Sequence, residues 1–524
     1  MPSAATTGRL AVGCFVAAIG LQVVVGQLGP SVAVPPVSAS LDGAAPADPY
    51  LVTALLAVAL TLGAVGVGAA LVALGRGWQP PVRRLLAGAA LAVLVLLVGP
   101  PLGTADLGGY AAYGRMAVLG HDPYTTTPAQ LSGDPVVDAA EPPWRDIRSI
   151  YGPLATAEFH LAADLGGDSR EEVLRLLQIT SGVAFVATGL LLDRLVARRS
   201  RQDPAAARRR AAVLWSANPL LLHQLVGGAH LDAQLALLVL GAVAVATGRY
   251  RRRVGGALVT GALLGLAGLV KATAAAPAAG LVVGQLLDGN SGRRARGRLA
   301  ALLLAGGGVA AAGYLAVGGR TALVPTREAS RMVSRGTPWR FVASGLERLV
   351  DQDVARSLVG LLALGVAVAL AIAVFQALAP ARERTGTDVG TDTDAGTGTA
   401  VGRVVASVLA ATTAWLVVAP YALPWYDAVA WALLPLAMTA GCRTVPLRRL
   451  EMLLLVHTAY LSVAYLPGRI VGLPDGLATA QDVVRGGAAP VVVLVVAIGL
   501  VRLGADQGRH VPVVQMPTGQ RSES

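Results

Sequence analysis

Cysteine is nearly absent from this sequence: Cys14 and Cys442 are the only two in 524 residues. Two distant thiols make neither a disulfide framework nor a cysteine-based metal site, and both read as helix-packing residues. No cluster of His, Asp and Glu has the spacing of metal ligands either, so neither a metal nor a cofactor is expected. Lysine is rarer still, with Lys271 standing alone against 42 arginines. Charged residues make up 14% and aromatic residues 4%, against 54% hydrophobic, and the mean hydropathy is +0.61. That is too little polar surface for a water-soluble protein of this size. The net charge of +12 comes from arginines scattered between apolar runs. They are not clustered with aromatics, which argues against nucleic acid as a partner. A Gly-rich phosphate loop of the P-loop type is also missing.

What is present is a succession of apolar runs, about 14 of them long enough or nearly long enough to cross a bilayer. They fall at 10–28, 51–75, 85–103, 173–192, 211–226, 233–247, 254–270, 273–287, 299–318, 357–379, 404–418, 428–441, 450–466 and 488–503. The first follows Arg9 like a weak signal peptide, but its length marks it as a helix that spans. An all-α polytopic membrane protein is expected. If both termini are cytoplasmic, the inner loops hold twice as many arginines as the outer ones, which is the positive-inside pattern. The segment 104–170 then lies outside, and nine of the 31 acidic residues fall between Asp106 and Asp168. Residues 1–380 read as an amino-terminal catalytic module with that outer loop. A Gly/Thr/Asp-rich linker expected to be disordered follows at 381–403, then carboxy-terminal membrane helices at 404–504 and a polar tail at 505–524.

Asp106 follows an apolar run of roughly 20 residues, which at about 1.5 Å per residue brings it to the edge of the hydrocarbon. Partial desolvation there raises a carboxyl pKa toward that of a general base. A solvated helix end is the plainer reading. His121, Asp122 and Tyr124 form a tight polar turn, and Trp144, Asp146 and Tyr151 follow. Their aromatics suit sugar faces and equally suit membrane interfaces. His230 and Asp232, in the turn GGAHLD, converge only if the segment is not helical. Lys271 ends an apolar run, where an ammonium either holds a phosphate or snorkels to headgroups. Arg327, Arg331 and Arg335 are four apart and share one face if the segment is a helix, a face suited to anionic lipid. Tyr421, Trp425 and Tyr426 lie in APYALPWYD, a rigid interfacial turn or part of a sugar or lipid pocket.

Several of these motifs together resemble a known family. They are the D-x-x-x-Y at Asp106 and Tyr110, the GHDPY at 120–124 and the W-x6-YGP from Trp144 to Pro153. The Asn-Pro at 218–219 with its downstream G-x-H-x-D, the VK at 270–271 and the YALPWY at 421–426 complete the set. This set is similar to the polyprenyl-phosphate-mannose-dependent α-(1→6)-mannosyltransferases of actinobacterial lipomannan and lipoarabinomannan assembly, within the GT-C class. The resemblance implies a GT-C multi-helix bundle with catalytic loops on the outer face of the cell membrane. It implies a polyprenyl-phosphate-mannose donor, a mannan or lipomannan acceptor and contact with membrane lipid. It also implies a single inverting displacement in which Asp106 takes the acceptor proton. The lipid phosphate leaves as an anion, stabilised by Lys271, His230 or the arginines at 327–335.

Two other readings remain open on sequence. One is a GT-C transferase for another sugar or acceptor, such as an arabinosyl or protein mannosyl transferase. The other is a lipid or solute transporter, which would place ionisable residues near the bilayer midplane and repeat its halves; neither feature is visible.

Overall fold

The computed structural model describes residues 2–34, 45–200, 202–287, 292–380, 393–469 and 472–505. Among these the regular structure is helical throughout, with no strand. Each apolar run read from the sequence overlaps a helical segment, but the helix of the 85–103 run ends at Val98, so Asp106 opens a separate helix and does not end that one. Among the described residues seven helices are long and apolar enough to cross a membrane: Ala4–Gln27, Pro49–Gly75, Arg170–Arg199, Arg293–Ala316, Gln352–Leu378, Gly398–Val418 and Asp475–Ala505. An eighth candidate is a broken pair, Pro204–Gly227 and Asp232–Thr247, bent by 117°. The other runs form helices outside that set, among them Val254–Val270 and Thr444–Ala464.

The helix ends are written in the sequence. Asp48 caps Pro49–Gly75 by accepting from the Leu51 amide at 2.8 Å, with proline at the first helical position. Ser169 caps Arg170–Arg199 in the same way, accepting from Glu172 at 3.3 Å. The break in the bent pair lies at 228–231, between the π-helical turn Leu222–Gly227 and the helix Asp232–Thr247, where Ala229 has φ +53°. Upstream of it, Asn218 accepts from the Leu220 amide at 3.1 Å and caps the helical turn Pro219–Leu221.

Large apolar side chains face outward, with Leu304 and Leu315 each 74% exposed, while Gln178, Thr188 and Thr260 are buried. This inverted arrangement is what a lipid environment demands, since buried polar groups find partners and apolar ones meet hydrocarbon. Gln178 donates to the Leu96 carbonyl at 3.1 Å and Thr188 to Ala184 at 2.8 Å.

The expected linker at 381–403 lies outside the described residues over 381–392, and from Thr393 the chain is in the helix Thr393–Val418. The tail from 506 onward also lies outside the described residues. The carboxy-terminal helices share one hydrophobic core with the amino-terminal ones. Trp431, Leu447 and Val493 belong to the same buried cluster as Leu56, Phe185 and Trp215.

Connecting segments gather at the two ends of the bundle. At one end the Leu102 amide donates to Gly227 at 2.8 Å, Gly152 to Val270 at 3.1 Å and Ser334 to Pro420 at 2.9 Å. The closest approach there is at Gly468, where φ is +96° and a Cβ would lie 1.6 Å from the Gly103 carbonyl oxygen. Only glycine fits that position.

Candidate active site

Asp106 opens the short helix Asp106–Val118. The two glycines that follow it let this helix close on its neighbours. A Cβ on Gly108 would stand 2.1 Å from the Ala139 carbonyl, and one on Gly109 3.3 Å from Cβ of Trp144. Gly114 meets the backbone of Phe159 in the same way, 2.1 Å from its carbonyl oxygen. The helix therefore lies flush against Pro153–Gly166, with Tyr110 stacked on Phe159 at 4.8 Å and edge-on to Tyr151 at 5.0 Å. Arg115, on the same helix, ties the loop together by donating to Asp134 at 2.8 Å and to Asp168.

The result is a carboxylate held at the bundle end and 8% exposed. Burial pushes its pKa up to about 6, against the opposing pull of the Lys271 ammonium.

Around Asp106 the tertiary structure assembles groups far apart in sequence. His230 Nε2 lies 3.8 Å from Asp106 Oδ2. Its imidazole stacks on the Trp425 indole, with centroids 3.6 Å apart. Lys271 Nζ donates to Asp232 Oδ2 at 2.8 Å and sits 4.0 Å from the centroid of the Tyr426 ring. Lys271 is held there by the backbone. It ends Val254–Val270 in an extended conformation, one residue past the carbonyl that receives Gly152.

A cavity of about 520 Å³ opens onto this group. Its polar end is lined by Asp106, Lys271, Trp144, Tyr151, Tyr421 and Tyr426. The remainder is walled by small and apolar side chains such as Ala275, Ala279, Gly360, Leu364, Ala371 and Trp415. These come from the helices Ala275–Leu287, Gln352–Leu378 and Thr393–Val418. One chamber thus joins a charged aromatic head to an apolar trough between long apolar helices.

The residues singled out from sequence divide clearly. Asp106, Trp144, Tyr151, Lys271, Tyr421 and Tyr426 line the cavity, and Tyr110, His230, Asp232 and Trp425 stand directly behind it. The GHDPY turn lies elsewhere. His121 and Asp122 are exposed, Asp122 accepts from the Tyr124 amide at 2.9 Å, and Tyr124 is buried with its hydroxyl 2.8 Å from Thr156 Oγ1. This motif shapes a turn and lines no cavity wall. Asp146 is likewise exposed and away from the cavity.

The expected shared face of Arg327, Arg331 and Arg335 does not form, because the helix Arg320–Ala329 stops before the second of them. Arg327 is exposed, Arg331 pairs with Asp353 at 3.6 Å and Arg335 pairs with Asp482. Among the described residues no group of three or more metal-ligating side chains occurs.

Sequence reading passed over a buried network beneath the site. Asp427 Oδ2 accepts from His457 Nδ1 at 2.9 Å and from Thr458 Oγ1 at 2.6 Å, and the Trp431 indole donates to Thr458 at 2.9 Å. It anchors the turn that presents Trp425 and Tyr426. The only local signal was an aspartate at the end of PWYD, because His457 lies inside an apolar run with nothing nearby to mark it.

The family model of the alpha-(1->6)-mannopyranosyltransferase N-terminal domain matches residues 11–286, just over half of the chain. That span contains Asp106, His230, Asp232 and Lys271. An alpha-(1->6)-mannopyranosyltransferase A of Corynebacterium glutamicum is 29% identical over 185 residues, 35% of this chain and 35% of that protein. An alpha-(1->6)-mannopyranosyltransferase of Mycobacterium tuberculosis is 29% identical over 153 residues, 29% of this chain and 25% of that protein. The matched segments thus span about a third or less of these relatives. No solved structure matches the chain.

Proposed function

Because the chain belongs to the alpha-(1->6)-mannopyranosyltransferase N-terminal domain family, we propose that it is an inverting membrane glycosyltransferase. In this reading it moves mannose from polyprenyl-phosphate mannose to an α-(1→6)-mannan or lipomannan acceptor. The chain is a GT-C-type bundle with about 14 membrane segments, some short or broken. It sits in the cell membrane with the Asp106 end facing the extracytoplasmic side.

The observation that carries this reading is the shape of the chamber: a carboxylate and an ammonium at its polar end, and an apolar trough leading from them between long helices. A lipid-linked sugar phosphate has the matching polarity. The prenyl chain occupies the Ala- and Leu-lined trough, the phosphate lies toward Lys271, and the mannosyl ring is enclosed by Trp144, Tyr151, Tyr421 and Tyr426.

The chemistry follows from the same groups. Asp106, with its pKa raised to about 6, is ionised at neutral pH and still basic enough to take a hydroxyl proton. The acceptor oxygen attacks the anomeric carbon as the bond to phosphate breaks, and β becomes α. The leaving phosphate is already anionic, so it needs a cation and no proton. Lys271 supplies the charge, held in place by Asp232 and the Tyr426 ring.

The test is transfer from polyprenyl-phosphate mannose to a short α-mannan in membranes bearing wild type or Asp106→Asn. Transfer by wild type and its loss in a well-expressed variant are expected. No transfer by wild type would overturn the donor and acceptor assignment. A topology reporter at the exposed Gly133 that reads cytoplasmic would overturn the orientation.

A further inference from the structure

A second cavity, of about 770 Å³, opens at the end of the bundle opposite Asp106. It lies where Pro49–Gly75 ends, where Arg170–Arg199 ends, and where Pro204–Ala211 begins. Four arginines line it: Arg199, Arg209, Arg210 and Arg448. Arg210 is neutralised by Glu451, which is 1% exposed and takes both Nε, at 3.0 Å, and Nη2. The other three stand in no ion pair among the described residues.

Arg199 donates one Nη to Thr247 Oγ1 at 2.6 Å, while its other Nη is buried without an acceptor. Arg209 is oriented by the Pro80 carbonyl, 3.0 Å from its Nε, which leaves its terminal nitrogens free of that bond. The one carboxylate in the lining, Asp203, is engaged with the Ala206 amide at 2.8 Å as a helix cap. The cavity thus holds more cationic charge than its own walls offset.

Guanidinium forks match the oxygens of phosphate, as they match those of carboxylate, in bidentate geometry. The lining also includes the apolar side chains of Leu74, Trp78, Pro435 and Met438. By contrast, Arg83, Arg84, Arg293 and Arg294 are exposed and do not line this cavity. Arg448 is exposed as well, and Arg199 and Arg209 are half-buried; what sets these three apart is that they share one cavity.

We propose that this cavity is a second ligand site, separate from the Asp106 chamber, that binds a phosphate-bearing anion through Arg199, Arg209 and Arg448. Its chemistry is shared by the headgroup of an anionic phospholipid entering from the adjacent leaflet and by a free phosphate. The arginines meet phosphate oxygens, and the apolar side chains take what is attached to them.

The full-length protein is reconstituted in phosphatidylcholine nanodiscs, and its thermal unfolding midpoint is measured with inorganic phosphate added. It is measured again in nanodiscs that contain phosphatidylglycerol. At least one anion is expected to raise the midpoint of wild type. The double variant Arg199→Gln, Arg448→Gln is expected to weaken that response about tenfold or more in apparent affinity. The surface control Arg83→Gln, Arg84→Gln should keep it. Because the double variant removes a buried hydrogen bond to Thr247, a second variant is needed. Ala206→Glu introduces a carboxylate at an exposed position of the lining and should suppress the same response. A response to phosphate alone assigns a soluble ligand, and one seen only with phosphatidylglycerol assigns a lipid headgroup. No response to either anion, or an undiminished response in the cavity variants, overturns the proposal. Neither result bears on mannosyl transfer, which is read separately.

Discussion

His230 presents an unprotonated nitrogen to Asp106. Its Nδ1 lies 2.5 Å from the Gln224 carbonyl oxygen. A carbonyl only accepts, so Nδ1 carries the proton of the neutral ring and Nε2, 3.8 Å from Asp106 Oδ2, is left as an acceptor. With Asp106 ionised, two acceptors face each other across a gap too wide for a direct hydrogen bond. Nε2 is buried behind the cavity, whereas Asp106 lines it, so in the proposed reaction an acceptor hydroxyl that enters the cavity gives its proton to Asp106. Asp106→Asn should therefore lower transfer by about 10²–10⁴-fold, measured as kcat with saturating donor.

The pH profile of wild-type transfer should rise through about pH 6 and flatten above it, since the base works only when ionised. The test is kcat/KM for the acceptor between pH 5 and 8, in assays where donor and membrane are shown to be unaffected by pH. A flat profile across that range would remove Asp106 as the titrating base.

The same raised pKa has a stability consequence of fixed sign. The folded state holds the Asp106 proton up to about pH 6, whereas an unfolded aspartate releases it near about 4. Between those values the folded state binds more protons, so this residue's contribution to stability is greatest below about pH 4. It is lost as the pH rises toward about 6. Asp106→Asn should consequently unfold at a higher temperature than wild type at pH 7, and the gap should shrink at pH 5. Thermal unfolding in detergent at both pH values reads it.

Lys271 and Asp232 form a buried pair in which neither partner tolerates the loss of the other. Lys271→Met should leave Asp232, 0% exposed, as an uncompensated carboxylate and lower stability by about 3–5 kcal/mol. Adding Asp232→Asn should restore most of the stability without restoring transfer, because the phosphate still lacks its cation. Expression level and unfolding midpoint, read beside the transfer rate, separate the two effects.

The apolar trough should discriminate donors by chain length. Ala279→Trp places a large side chain among the helices that line it. It should slow transfer from a long polyprenyl donor far more than from a donor with one or two prenyl units. Equal slowing with both donors would argue against the trough as the lipid channel.

Asp122 and Asp146 should be dispensable for chemistry. Asp122 keeps its capping acceptor as asparagine, and Asp146 is exposed away from the cavity. Asp122→Asn and Asp146→Asn should each retain transfer within about twofold of wild type, as expected of surface substitutions away from a site.

The sequence by itself determined the class of environment and the helical architecture. Runs of apolar residues, few charges and alternating arginine-rich loops leave helices in a membrane as the available solution, because backbone polar groups in lipid must be paired within the chain. It also marked Asp106, Lys271 and the YALPWY turn, since charge or rigid aromatics at the edge of an apolar run stand out from their surroundings. It did not determine which of the marked residues meet. GHDPY and Asp106 look equally functional along the chain, yet the turn residues cap and fill their own loop. Arg327, Arg331 and Arg335 had helical spacing, but their helix ends at Ala329. The Asp427–His457 pair carried no spacing signal at all, being 30 residues apart on separate elements. Those contacts, together with the meeting of His230, Lys271 and Tyr426 around Asp106, are long-range. They were decided by glycines that let backbones touch and by the bend at 228–231. Periodicity reports which face of a helix is apolar, but only packing decides which other helix that face meets.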